Sequence, residues 1–185
     1  MNSPILNIPA EDLTRQYQQI RWEISAAIDK VLPTGKYTLG PILEEFEKEF
    51  AEFCGVKHCI AISNGTEALH LALRAWGIGP GDEVITQANT YVATAFAISY
   101  CGAKPVFVDI ELDFYNINIK NVESSITSRT KAIIPVHLYG QPADMDPLMD
   151  LAKKYNLKVL EDGSHAQGAL YKGRMTGSLG HAAAI

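Results

Sequence analysis

The sequence predicts an α/β domain: a mostly parallel sheet with helices on both faces. Short β-rich apolar runs alternate with segments of helical periodicity from about residue 58 onward. Gly- and Pro-rich punctuation separates the runs, as in Gly77-Ile78-Gly79-Pro80-Gly81-Asp82. The 185 residues, 47% apolar and 20% charged, suffice for one substantial domain with a buried core.

Taken in order, Glu11 to Val31 reads as a first helix, because Ile20, Ile24, Ala27, Ile28 and Val31 recur at helical spacing before Pro33-Thr34-Gly35 stops it. Pro41 suits the first turn of a second helix, whose stripe is Ile42, Phe46, Phe50 and Phe53. Cys59-Ile60-Ala61-Ile62 is expected to be a short buried strand, followed by the turn Ser63-Asn64-Gly65-Thr66 and a helix from Glu67 to Trp76. Further strands are expected at Glu83–Thr86, Pro105–Asp109, Ala132–Val136 and Leu157–Leu160. Helices at Thr90–Tyr100, Asn121–Ile126 and Pro147–Tyr155 fill the intervals, and Gly180–Ile185 begins another strand. Such an alternation builds a parallel sheet covered on both sides. Residues 1–55 are expected to form a helical segment packing on the large domain or a partner subunit, and 56–185 the incomplete large domain itself.

Net charge is −5 and the basic residues are scattered, so neither nucleic acid nor a membrane surface is an expected partner. No apolar run approaches the roughly 20 residues of a membrane helix, and Met1–Leu6 lacks the basic and apolar regions of a signal peptide. Cys54, Cys59 and Cys101 form no C-x-x-C pair, which fits small buried thiols in a reducing, cytoplasmic setting. No cluster of Cys and His has metal-ligand spacing, and no metal is expected.

The chemistry is sought first at Leu157–His165, where Val159-Leu160 meets Glu161-Asp162 and then small polar residues. A buried strand ending there delivers Asp162 to the sheet's carboxyl edge, the edge at which open α/β sheets bind ligands. Taken alone, Asp162 reads more readily as the cap of the following turn. Ser63-Asn64-Gly65-Thr66 opens a helix after the first expected strand. Its backbone N–H groups suit an anion, although a capping box built from Ser63, Thr66 and Glu67 explains the same residues. Tyr91 begins the helix after the next strand, where its ring could stack on a planar ligand or simply be half-buried. His137 reads as a core residue. Convergence favours function: Gly65-Thr66, Tyr91, Asp162 and His165 all follow strands of one inferred sheet. A planar, phosphorylated ring with a nitrogen, of which pyridoxal phosphate is the type, would use all of them.

Several stretches resemble the DegT/DnrJ/EryC1/StrS sugar aminotransferases: Gly35–Pro41, Ser63–Leu69, Gly77–Ile85, Gly102–Asp109, Pro135–Gln141 and Glu161–Ala169. The match runs nearly the whole chain in order. The resemblance implies an aspartate-aminotransferase-like, fold type I large domain that binds pyridoxal 5'-phosphate, in a homodimer with active sites at the subunit interface. It implies transfer of an amino group from glutamate to a keto-deoxysugar nucleotide. By that likeness Asp162 pairs with the pyridine nitrogen and Tyr91 stacks on the ring. Gly65 and Thr66 hold the phosphate, and His165 lies near the 3-hydroxyl. Gly163-Ser164 stands where the family often has Ala-Ala or Cys-Ala. The family's Schiff-base lysine is expected a few residues beyond Ile185, so the 185-residue chain is expected to be inactive alone. The alternatives are a dehydratase of the same family, with His at the lysine position, and a non-catalytic regulatory relative.

Overall fold

A computed structural model describes Pro9 and residues 11–185. The reading of Met1–Leu6 therefore lies outside the described residues. The chain divides into two compact units, one ending at Phe46 and the other spanning Glu47–Ile185.

The first unit is dominated by α1 (Leu13–Val31). Asp12 caps it by accepting from the Arg15 N–H at 3.0 Å, and a 3-10 turn with Pro33 and left-handed Gly35 (φ +63°) ends it. No α1 residue is buried, and Ile20, Ile24 and Ile28 form an exposed apolar stripe. Helix α2 (Pro41–Cys54) starts on its proline and crosses the boundary between the units.

The second unit is a five-stranded sheet of order β2-β1-β3-β4-β7, parallel at every pairing. Its strands are β1 (Glu83–Gln87), β2 (Lys104–Val108), β3 (Thr130–Ile134), β4 (Lys158–Asp162) and β7 (Ala182–Ala184). A small antiparallel hairpin, β5 (Leu170–Tyr171) and β6 (Arg174–Met175), stands apart. The crossover helices are α4 (Val92–Tyr100), α5 (Ile119–Ser125) and α6 (Met145–Tyr155), and α3 (Gly65–Ala75) precedes the sheet.

Side-chain alternation along the strands divides the core into two layers. Ile85, Ile133 and Val159 pack with Val122 of α5 and Met145 and Leu148 of α6. Val84, Ala132, Ile134 and Leu160 pack on the opposite face with Leu69 and Leu73 of α3 and Ala97 and Ile98 of α4. The mostly parallel sheet with helices on both faces is therefore present. Its strand order reverses between the neighbours β1 and β3, and ligand crevices in such sheets open at this kind of switch point.

The strand expected at Cys59–Ile62 is not formed. The segment joins no ladder, Ile60 is 76% exposed, and the Ala61 N–H donates to the Glu47 carboxylate at 2.8 Å instead of to a neighbouring strand. Apolar composition supplies side chains for burial, but a strand also needs a partner backbone. Cys59 correspondingly is only half-buried, whereas Cys54 and Cys101 are buried. Among the described residues no helix is long and apolar enough to cross a membrane, and no group of three His, Cys, Asp or Glu has metal-binding geometry.

Candidate functional site

Strand β4 runs on to Asp162, which lies 5% exposed at the carboxyl end of the sheet. The sheet fixes its backbone on both sides. The Asp162 N–H donates to the Pro135 carbonyl and its carbonyl accepts from the His137 N–H, each at 2.9 Å, while the Gly163 N–H donates to Ala184 at 2.8 Å.

Three donors converge on its carboxylate. The Thr94 hydroxyl donates to Oδ2 at 2.8 Å. The Ser164 hydroxyl donates to Oδ1 at 2.7 Å, with the Ser164 N–H a longer donor to the same oxygen at 3.4 Å. The turn-capping reading of Asp162 is thus partly realised, by the weakest of the three contacts. Among the described residues no Lys, Arg or His forms an ion pair with Asp162. A buried carboxylate held by hydroxyls and lacking a cation is suited to receive one.

Gly65 and Thr66 form the first turn of α3. The cap is Asn64, not Ser63: its side chain accepts from the Glu67 N–H at 3.0 Å and its hydroxyl neighbour Ser63 accepts from the Asn64 amide at 3.2 Å. The Gly65 and Thr66 N–H groups precede the helix's own ladder, so they remain donors for an anion. This turn reaches Ser164, because a Cβ at Gly65 would stand 3.1 Å from the Ser164 hydroxyl oxygen. A side chain there would crowd the hydroxyl that holds Asp162.

Tyr91 is the N-terminal cap residue of α4 and is 76% exposed. Its carbonyl accepts from the Thr94 N–H at 3.2 Å, which ties the ring's backbone to the residue that holds Asp162. His165 is exposed one residue beyond Ser164, with its carbonyl near Gly140 after β3. Among the described residues the Tyr91 and His165 side chains hydrogen-bond none of the other candidate residues. Asp162, Gly65 and Thr66 are therefore linked through Ser164, whereas Tyr91 and His165 stand at the rim.

Behind the site, Glu161 is fully buried on the opposite side of β4. It accepts from His137 Nε2 at 3.0 Å and from the N–H groups of Gly177, Leu179 and Gly180 at 2.9, 2.8 and 2.7 Å. The Ala143 N–H donates to His137 Nδ1 at 3.1 Å, so the ring proton sits on Nε2 and is given to Glu161. Burial would raise the Glu161 carboxyl, but the hydrogen bonds from His137, Gly177 and Gly180 outweigh it and hold it below its ordinary range. The reading of His137 as a satisfied core residue agrees with this geometry.

Thr94, Ser164 and Glu161 are not among the site residues that the sequence suggests. Thr94 carried a usable signal: a hydroxyl inside the otherwise apolar run Val92-Ala93-Thr94-Ala95-Phe96-Ala97-Ile98 needs a polar partner if buried. Neither Ser164 nor Glu161 carried one, because their partners are set by the tertiary fold.

A profile of the DegT/DnrJ/EryC1/StrS aminotransferase family matches residues 18–185. The chain belongs to this family. A dTDP-3-amino-3,6-dideoxy-alpha-D-galactopyranose transaminase of Aneurinibacillus thermoaerophilus, a relative in sequence, is 51% identical over 176 residues, which is 95% of this chain and 48% of that protein. A protein of Geobacillus stearothermophilus named pleiotropic regulatory protein is 48% identical, over 96% of this chain and 48% of its own length. Among solved structures, S. venezuelae DesV in complex with a ketimine intermediate superposes with a TM-score of 0.89 at 49% identity, covering 92% of this chain and 46% of that one. The chain spans about half the length of these relatives. Its fold is that of the large domain of pyridoxal-phosphate-dependent aminotransferases, incomplete in this stretch.

Proposed function

We propose that this chain carries the cofactor-binding part of a pyridoxal-phosphate-dependent enzyme that transfers an amino group from glutamate to a nucleotide-linked keto-deoxysugar. The observation that carries the reading is Asp162, a buried carboxylate at the sheet's carboxyl edge with hydroxyl donors on both oxygens and no cation paired with it among the described residues. A protonated ring nitrogen supplies the missing partner. The N–H groups of Gly65 and Thr66, at the start of α3 and beside Ser164, suit the phosphate of the same molecule. The residues present therefore fit the cofactor. Relatives with the same fold have been solved in its pyridoxal and pyridoxamine phosphate forms.

When bound, pyridoxal phosphate acts as an electron sink for charge that develops on the substrate carbon. Asp162 then holds the ring nitrogen in its protonated form, and without that proton the sink is weaker. Tyr91, exposed at the start of α4, covers one face of the ring and excludes water from it. His165, at the rim beside Gly140, takes the position near the ring's 3-hydroxyl in this reading.

The names of the relatives support the substrate class, since they include a dTDP-sugar transaminase, a UDP-sugar aminotransferase and a GDP-perosamine synthase. The same reading includes a cytoplasmic homodimer. The exposed stripe Val92, Phe96 and Tyr100 along α4, with the latter two rings stacked at 6.0 Å, supports a second copy as neighbour.

The test is glutamate-dependent conversion of a keto-sugar nucleotide to its amino product by the full-length protein, followed by mass spectrometry. Asp162→Ala is expected to abolish turnover while circular dichroism stays unchanged. Near-normal turnover of that variant would refute the assignment. A regulatory role is the second reading, favoured by the name of the G. stearothermophilus relative. Cofactor binding without amino transfer to any keto-sugar nucleotide would support it.

A further inference from the structure

The hydroxyls around Asp162 do more than bury it, because they distinguish its two oxygens. A carboxylate has about four acceptor positions in all. Oδ1 faces two donors from one residue, the Ser164 hydroxyl at 2.7 Å and the Ser164 N–H at 3.4 Å. Oδ2 faces a single donor, the Thr94 hydroxyl at 2.8 Å. Thr94 has only one hydroxyl proton and gives it to Asp162, so its 2.8 Å contact with Thr90 is a bond that Thr90 donates. Thr90 and Thr94 lie one turn apart where α4 begins, and both are tied to Tyr91 in sequence. The chain Thr90–Thr94–Asp162 thus couples the start of α4 to the end of β4.

We infer that Thr94, supported by Thr90, is a positioning residue that fixes Asp162 so that Oδ2 receives the ring N–H of the cofactor, while Ser164 occupies Oδ1. This rests on the proposed function and refines it to an atom. It also assigns a role to the pair Gly163-Ser164, since Ser164 brings a hydroxyl that an alanine at that position lacks.

The test separates ring-nitrogen recognition from general packing by using two ligands. Pyridoxamine 5'-phosphate carries the ring nitrogen, and its 1-deaza analogue, with C–H in that position, does not. Neither forms a covalent link to the protein, so calorimetry of the full-length chain reads binding alone. Thr94→Val removes the hydroxyl at nearly constant shape. It is expected to weaken pyridoxamine phosphate by about tenfold, the scale of one hydrogen bond acting through a charged group, and to leave the deaza analogue unchanged. Thr94→Ser is expected to restore the wild-type preference, and circular dichroism verifies folding of each variant. Equal weakening of both ligands, or none of either, would overturn the inference while leaving the proposed function standing. Failure of the wild-type protein to bind pyridoxamine phosphate would overturn both.

Discussion

Replacing Glu161 with Gln tests how the loop before β7 is held. The native carboxylate accepts four hydrogen bonds, two on each oxygen: His137 Nε2 and the Gly177 N–H on Oε2, and the Leu179 and Gly180 N–H groups on Oε1. A glutamine keeps the shape but turns one oxygen into an NH2. Whichever way the amide is oriented, two donors then face a donor, around a side chain that is itself fully buried. Leaving a buried donor unpaired costs about 1–3 kcal/mol, so two of them put the cost of Glu161→Gln at about 2–6 kcal/mol. Urea denaturation of the full-length protein measures it. Hydrogen exchange at Leu179 and Gly180 localises it, since those amides should lose protection first. A destabilisation below about 1 kcal/mol, the value of an ordinary exposed hydrogen bond, would refute the view that this carboxylate anchors the loop.

Glu83 makes a second, pH-dependent prediction at the amino end of β1. Hydrogen bonds from Thr127 and Arg129 hold its carboxyl down to about 2, with Lys104 adding a longer contact at 3.4 Å. Because the folded value lies below the unfolded one, the contribution is complete above about 4.5 and is lost as pH falls toward 2. Glu83→Gln should therefore lower the denaturation midpoint at pH 7 and converge with wild type near pH 2; a gap that persists there would contradict the assignment. In the layer beneath α6, Leu148 is fully buried among Ile85, Met145 and Val159. Leu148→Ala should cost about 2–5 kcal/mol in chemical denaturation, and a loss well below that range would mean that the layer closes over the cavity.

Much of the sheet was legible because its strands carry short apolar runs bordered by turn residues, as Val84-Ile85 after Pro80-Gly81-Asp82 and Ala132-Ile133-Ile134 before Pro135 illustrate. Cys59–Ile62 has the same appearance and forms no strand, since nothing in its own residues specifies the neighbour to which it must bond. The edge position of Asp162 was legible too, because an apolar run ending in acids marks a strand terminus. The grip on that carboxylate was not. Thr94 and Asp162 are 68 positions apart, and only the β1–β3–β4 order brings α4 over the end of β4. Glu161 was hidden for a related reason, since its backbone donors come from a glycine-bearing turn whose sequence announces only a bend.

Glu161 and Asp162 are adjacent in sequence, and the pleat of β4 sends them to opposite sides of the sheet. One carboxylate is saturated by four donors; the other keeps acceptor capacity in reserve. A shift of β4 by a single residue would exchange them, placing the anchor at the site's edge and the edge carboxylate among the amides of the turn before β7. An insertion or deletion in this strand would displace both carboxylates at once. Length variation is therefore expected to be confined to the connecting loops.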